Sequence, residues 1–387
     1  MTDKKRLFFI DNLRVATIML VVLVHLAVTY SSLGIWYYNE DHRVDVFSHY
    51  FFWLFQMFVQ SFTMGMLFFV SGYFTSGSLR KKGFLQYIKE RFHRLIIPTV
   101  IFFTVVTPLT IWFEARKVFA KDVTSFGQFI VKYFGSWGFE LNGVGPMWFA
   151  LALFAFCLVY ALINKINSNL FDLEIFKEQK FYTLIHFFLI ILIAVVAFII
   201  RLYLPIGTIV WGMQYCYFSS YIFLFFAGVI AGRTGYIENI PSKELRNWLY
   251  AGIGVYLAGW LIMVLSSPLY DPSASSAGMS KSLMAFHGGM NFKSAFFALV
   301  ESFVAVSMTL GLLGFFKDKI NFTNSITKKL SDGAFGVYMF HPPIIIAVTL
   351  YLQPLMFMPF IKWIIAGMIS IPLCFAIAYY VLLRYLF

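Results

Sequence analysis

The chain has 387 residues and a formal net charge of +12; 60% of its residues are hydrophobic and 12% are charged, against about 45–50% apolar and about 25% charged in a soluble domain. This balance excludes a water-soluble enzyme, and the 20% aromatic content excludes a disordered or nucleic-acid-binding arm, which needs high charge and few aromatics. With a mean hydropathy of +0.78 and about 20 apolar residues per crossing, the chain reads as an all-α integral membrane protein.

Hydropathy places ten spans at 8-30, 48-75, 95-114, 146-164, 181-203, 216-232, 248-266, 294-316, 333-352 and 360-383. Lys4, Lys5 and Arg6 precede the first, whose apolar run is too long for a signal peptide and lacks an A-x-A-like cleavage site, so it is expected to be a retained span. Placing Met1 inside puts 20 of the 30 basic residues on inner segments and nine on outer ones. By the positive-inside rule this predicts an N-in, C-in topology. Much of the net charge is then an orientation signal, and nucleic acid is not an expected partner.

Trp36, Tyr37 and Tyr38 after the first span, Trp112 at the end of the third, and Trp248 and Tyr250 at the start of the seventh read as interfacial anchors. Between the second and third spans, Arg80 to Arg94 alternates basic residues with apolar ones at 84, 85, 88, 92 and 95, which predicts a basic amphipathic helix on the inner surface. The outer connection 115-145 carries Phe119, Phe126, Phe129, Tyr133 and Trp137 among lysines and suits an interfacial helix. A second outer connection, 267-292, is rich in Ser and Pro and reads as flexible. Gly228 and Gly232 are spaced for close helix packing. No internal repeat of transporter type is visible. Cys157, Cys216 and Cys374 show neither metal-ligand spacing nor a disulfide framework, so no metal site is expected.

Ionisable groups inside spans are costly and therefore informative. Arg14 and His25 lie eleven residues apart, about three helical turns, so they share one face and are separated by roughly 16 Å along the axis. Asp11 is three residues before Arg14, within side-chain reach. Two readings follow: Arg14 reaches the inner interface with Asp11 as its counter-ion while His25 bonds between helices, or the pair marks a polar stripe lining a channel. Glu301 within the eighth span needs a buried cation or polar neighbour. His341 follows Tyr338 by one turn and precedes Pro342-Pro343, which interrupt the helical ladder and free backbone carbonyls.

These residues together resemble the membrane acyltransferase 3 family. The likeness is carried by Arg14-x(10)-His25, by Phe68-Phe69-Val70-Ser71-Gly72-Tyr73-Phe74, by Arg91-x-x-Arg94 with Pro98, by Trp148-Phe149, and by Ser331 to Tyr338-x-x-His341, in order over essentially the whole chain. The opening Phe9-Ile10-Asp11-Asn12-Leu13-Arg14 and the Met64 to Phe74 stretch are most similar to the glucan succinyltransferase-like branch. The resemblance implies a single transmembrane domain, 1-387, in a bacterial inner membrane. It implies transfer of an acyl group, acetyl or succinyl, from cytoplasmic acyl-CoA to a hydroxyl of an extracytoplasmic envelope glycan or lipid-linked sugar. His25 would be the base or a transient acyl carrier, with Arg14 as its catalytic companion on the same helix face. Arg91, Arg94, Ser71 and Trp148 would hold the donor, and Asp11, Tyr338, His341 and Glu301 would support the site. Many members carry a Trp-Ser pair followed by a membrane Glu; here Trp148-Phe149 is followed by no acidic residue, so that role cannot be transferred. A transporter or flippase for an anionic or glycan substrate is the alternative.

Overall fold

The computed structural model describes residues 6–34, 36–40, 44–118, 125–137, 145–173, 178–266 and 281–382. Ten helices are long and apolar enough to cross a bilayer: α1 (Phe8–Ser31), α2 (Val46–Lys82), α3 (Phe84–Trp112), α4 (Gly145–Ile166), α5 (Gln179–Tyr203), α6 (Tyr215–Thr234), α7 (Ser242–Ser266), α8 (Phe292–Lys319), α9 (Ser325–Leu352) and α10 (Pro359–Tyr380). They match the expected spans in number and order. Among the described residues there is no strand, only a bridge between Val210 and Met213. The start of α1 and the end of α10 share one end of the bundle, the near end; α1 finishes at the far end.

The second and third spans are longer than hydropathy suggests. At about 1.5 Å per residue the 37 residues of α2 extend roughly 55 Å, well beyond a hydrocarbon core of about 30 Å. Gly83, at φ +75°, ends it, and α3 begins at the next residue. The basic segment is therefore not a separate surface helix. Arg80 to Lys82 close α2, whereas Phe84 to Arg94 form the first turns of α3, with Tyr87 and Leu95 buried and Leu85 and Phe92 exposed.

Glycine sets the closest helix crossing. A Cβ on Gly228 would lie 2.0 Å from the carbonyl oxygen of Phe69, and one on Gly72 would lie 2.1 Å from that of Phe225. Gly72 thus lets α2 and α6 meet backbone to backbone, and its lack of a side chain serves packing rather than a ligand. Gly228→Ala must push the two helices apart, and we expect it to lower stability by about 1–3 kcal/mol, measured as a drop in thermal midpoint of the detergent-solubilised protein; an unchanged midpoint would contradict the packing described.

Three polar contacts fasten distant segments. Asn12 donates to the carbonyls of Ile320 (2.8 Å) and Phe322 (2.9 Å), tying the start of α1 to the α8–α9 connection. Lys362 on α10 pairs with Glu40 at 2.5 Å, both side chains buried, which holds the segment after α1. Arg233 forks onto both oxygens of Asp172 at 2.7 and 2.8 Å.

The aromatic anchors divide. Tyr250 is exposed, as an interfacial residue should be, but Tyr37 and Tyr38 are buried and Trp36 turns inward. Ser32 ends α1 in the left-handed conformation at φ +56°, and the amide of Glu40 then donates to the carbonyl of Thr29 at 2.9 Å. The chain therefore doubles back over the helix it has just left. In the connection after α3, the short helix Phe126–Lys132 buries Phe129 against Trp112 (5.4 Å between ring centroids). Phe119 and the Ser- and Pro-rich stretch 267–276 lie outside the described residues, as do Lys4, Lys5 and Arg384.

Candidate active site at the far end

A cavity of about 1080 Å³ opens among the far ends of α1, α2, α4, α6 and α9 and the connection between α5 and α6. It is slightly larger than the roughly 300–1,000 Å³ range of small-molecule sites. His25, Trp148 and Tyr338 line it, so residues 313 positions apart in sequence meet at one wall.

His25 sits in a stack of rings. Its imidazole lies 3.8 Å from the Trp36 ring at 16° on one contact and 5.1 Å from the His341 ring at 21° on another. Its Nδ1 is buried with no hydrogen-bond partner. The His341 ring is fixed by the proline pair. Pro342 has no N–H to give to the carbonyl of Tyr338 four residues earlier, and the His341 Nδ1–H donates to that freed carbonyl at 2.8 Å. A carbonyl only accepts, so the proton of neutral His341 is on Nδ1 and the lone pair is on Nε2. Nε2 is buried without a partner. The Tyr338 hydroxyl donates to the carbonyl of Pro146, which fastens the start of α4. Gly145, at φ +50°, leaves room for Tyr37, because a Cβ there would lie 2.1 Å from the Tyr37 hydroxyl oxygen. Three residues after Gly145, Trp148 stacks against Tyr221 at 5.4 Å.

The other expected residues are elsewhere. Arg14 does not line the cavity; it is 3.6 Å from Asp11, which also accepts from Arg6 at 2.8 Å, and its side chain is 40% exposed. Between Arg14 and His25 on the same helix face stand Ile18 and Val21, both buried. The polar stripe therefore has an apolar middle, where Ile18 packs in the same core as Phe68 and Phe225. Ser71 is near-end of this layer and does not reach the cavity. Arg91 turns inward, its guanidinium 5.2 Å from the Tyr87 ring centroid and 3.5 Å from the Thr75 hydroxyl, whereas Arg94 is exposed. The two arginines point apart rather than forming one fork pair.

Glu301 has the buried cation that its position demanded. It pairs with Arg201 of α5, whose side chain is 0% exposed and lies 5.6 Å from the rings of Tyr217 and Phe297. Tyr217 in turn lines the cavity, so this pair braces its wall. Nearby His287, in the α7–α8 connection, is held neutral: burial and the Arg201 charge push its pKa down to about 4.

Sequence reasoning missed Trp36, whose loop position suggested an anchor. It also missed Gln56 and Gln60, which line the cavity from α2. Their four-residue spacing within an apolar run was a readable signal of a shared polar face.

No curated protein and no solved structure matches the chain. A family model for an acyltransferase domain, acyltransferase 3, matches residues 7–379. With ten membrane-spanning helices and a match over nearly its whole length, the chain belongs to the acyltransferase 3 family and is a multi-pass membrane acyltransferase.

Proposed function

We propose that this protein transfers an acyl group, acetyl or succinyl, from acyl-CoA at the near, cytoplasmic end to a hydroxyl of an envelope glycan or lipid-linked sugar held at the far end. The observation that carries this reading is His25, a ring with an unpartnered buried nitrogen on the wall of a large cavity, in a chain of acyltransferase type. His25 acts as general base. It takes the proton of the acceptor hydroxyl as that oxygen attacks the thioester carbonyl; the new C–O bond forms, the C–S bond breaks, and the CoA thiolate leaves with a proton returned by the imidazolium.

The stack supports this role. Trp36 and His341 hold the imidazole in one plane and screen it from water, limiting thioester loss to hydrolysis. For the donor, Arg14, Arg91 and Arg94 supply positive charge at the near end, suited to phosphates. The Ile18–Phe68 layer must part for the pantetheine arm to reach His25.

The reading is tested with purified protein, acetyl-CoA or succinyl-CoA, and glycan fractions from an envelope extract. Free CoA thiol should appear together with an acceptor heavier by one acetyl or succinyl group, detected by mass spectrometry. Uptake of glycan into vesicles with no thiol release and no mass change would replace this reading with a transporter.

A further inference from the structure

We propose that His287 is a second functional imidazole of the far-end cavity, a neutral N–H donor that stabilises the charge growing on the thioester carbonyl oxygen during acyl transfer. This deepens the proposed function, on which it rests, by assigning the group that receives the oxyanion.

The first argument is position. His287 and His25 line the same cavity, His287 from the α7–α8 connection and His25 from α1. The His287 backbone is pinned to the segment that ends α5: its carbonyl accepts from the Ile206 amide at 2.9 Å, and the Gly289 amide donates to the Arg201 carbonyl at 3.2 Å. Gly288 between them has no room for a side chain, since a Cβ there would lie 2.6 Å from that carbonyl oxygen and 2.6 Å from the Pro205 Cβ. The imidazole is thus held in place before any ligand arrives, as a donor to a transition state must be.

The second argument concerns which nitrogen has the proton. His287 Nε2 is buried with no hydrogen-bond partner, and so are Nε and Nη1 of Arg201. Arg201 is 0% exposed and lies behind the cavity wall rather than on it, and its charge acts on the His287 ring. A guanidinium offers donors and no acceptor, and a positive charge behind the ring favours the tautomer whose lone pair is on the buried nitrogen. The proton is then on Nδ1, at the edge of the ring left to the cavity.

The third argument is chemical need. With His25 moving the proton, the thioester carbonyl oxygen still requires a donor. As the acceptor oxygen bonds to the carbonyl carbon, the C=O electron pair moves onto that oxygen and His287 Nδ1–H donates to it. When the C–S bond breaks, the pair returns and the C=O bond re-forms. His287 keeps its proton throughout, because burial and the Arg201 charge hold its ring neutral, and a neutral imidazole polarises a carbonyl without giving up its N–H.

The test uses the full-length protein in detergent micelles, labelled with [15N]histidine, with acyl transfer from acetyl-CoA or succinyl-CoA to envelope glycan measured on the same preparation. Long-range proton–nitrogen correlation spectra, assigned by the signals lost in His287→Asn, should show the His287 proton on Nδ1. The ring should remain neutral at pH 6, where an ordinary histidine with a pKa of about 6.5 is mostly protonated. His287→Ala and His287→Phe, which keeps a ring without an N–H, should each lower kcat by about 10²–10³-fold while KM moves by less than about threefold. His287→Asn places an amide N–H where Nδ1–H stood and should recover most of that loss. Thermal midpoints identify a variant that has lost its fold, and the Phe and Asn variants keep the comparison intact if the alanine variant does. A ring protonated at pH 6, or one with its proton on Nε2, overturns the proposal. So does an unchanged kcat in folded His287→Phe, or a loss confined to KM. Wild-type transfer that is indifferent to residue 287 refutes this proposal alone, whereas absence of transfer in every protein, wild type included, refutes the transferase reading and the oxyanion role together.

Discussion

His25→Ala should lower kcat/KM for acyl transfer by about 10²–10⁴-fold, the usual contribution of a positioned general base. The loss should fall mainly on kcat, because the imidazole is one of many groups on a wall that also includes Trp148, Tyr338 and the two glutamines. The substitution leaves Trp36 without its 3.8 Å partner and His341 without a ring beside it. Its fold must therefore be checked by the thermal midpoint and by the elution profile. His25→Gln, which keeps a planar polar group in the gap without a comparable base, should be as inactive as alanine while unfolding closer to wild type. Full activity in either variant would exclude His25 as the base and leave the hydroxyl proton to another group.

Glu301→Ala should be the most damaging single change to stability. It removes the carboxylate paired with Arg201, a side chain with 0% exposure. Losing one partner of a buried pair costs about 3–5 kcal/mol, because the remaining charge stays desolvated. The Tyr217 and Phe297 rings at 5.6 Å offset part of this, since a desolvated cation–π contact is worth about 2 kcal/mol. The double variant Arg201→Met with Glu301→Leu removes both charges and retains bulk, and it should unfold near the wild-type midpoint. If Glu301→Ala alone were as stable as wild type, the pair would carry none of the bracing assigned to it. Urea or thermal unfolding in a fixed detergent, with all three proteins measured together, decides the matter.

The ten spans were legible because a bilayer makes every backbone group bond internally, so each crossing is a long apolar helix that hydropathy detects. Helical spacing also gave correct local relations, such as Asp11 beside Arg14 and His341 one turn from Tyr338. Spacing fixes a face and a depth, but not the neighbour. Arg201 and Glu301 are 100 residues apart, and Glu40 and Lys362 are 322 apart; each pair is recognisable only once helices are assigned to one another. The polar stripe failed for a related reason. Arg14 and His25 do share a face, yet the residues between them on that face, Ile18 and Val21, are apolar and buried. Trp36 shows a further limit: composition marks an aromatic at a span end as an anchor, while the left-handed Ser32 that turns it back onto His25 is a backbone event with no compositional sign.

The placement of α1 carries a consequence for biogenesis. Its start is held by carbonyls of Ile320 and Phe322, the carbonyl of Leu23 accepts from Trp363 at 2.9 Å, and its histidine stacks on His341. The helix bearing the proposed base thus precedes the other described spans and takes these contacts from α9, α10 and the α8–α9 connection, which are made after it. A nascent chain halted before α9 holds a membrane-inserted His25 with no ring from His341 against it. Assembly of the reactive stack therefore waits for synthesis and insertion of α9, and chains in the membrane that lack it would have no assembled centre with which to consume a thioester.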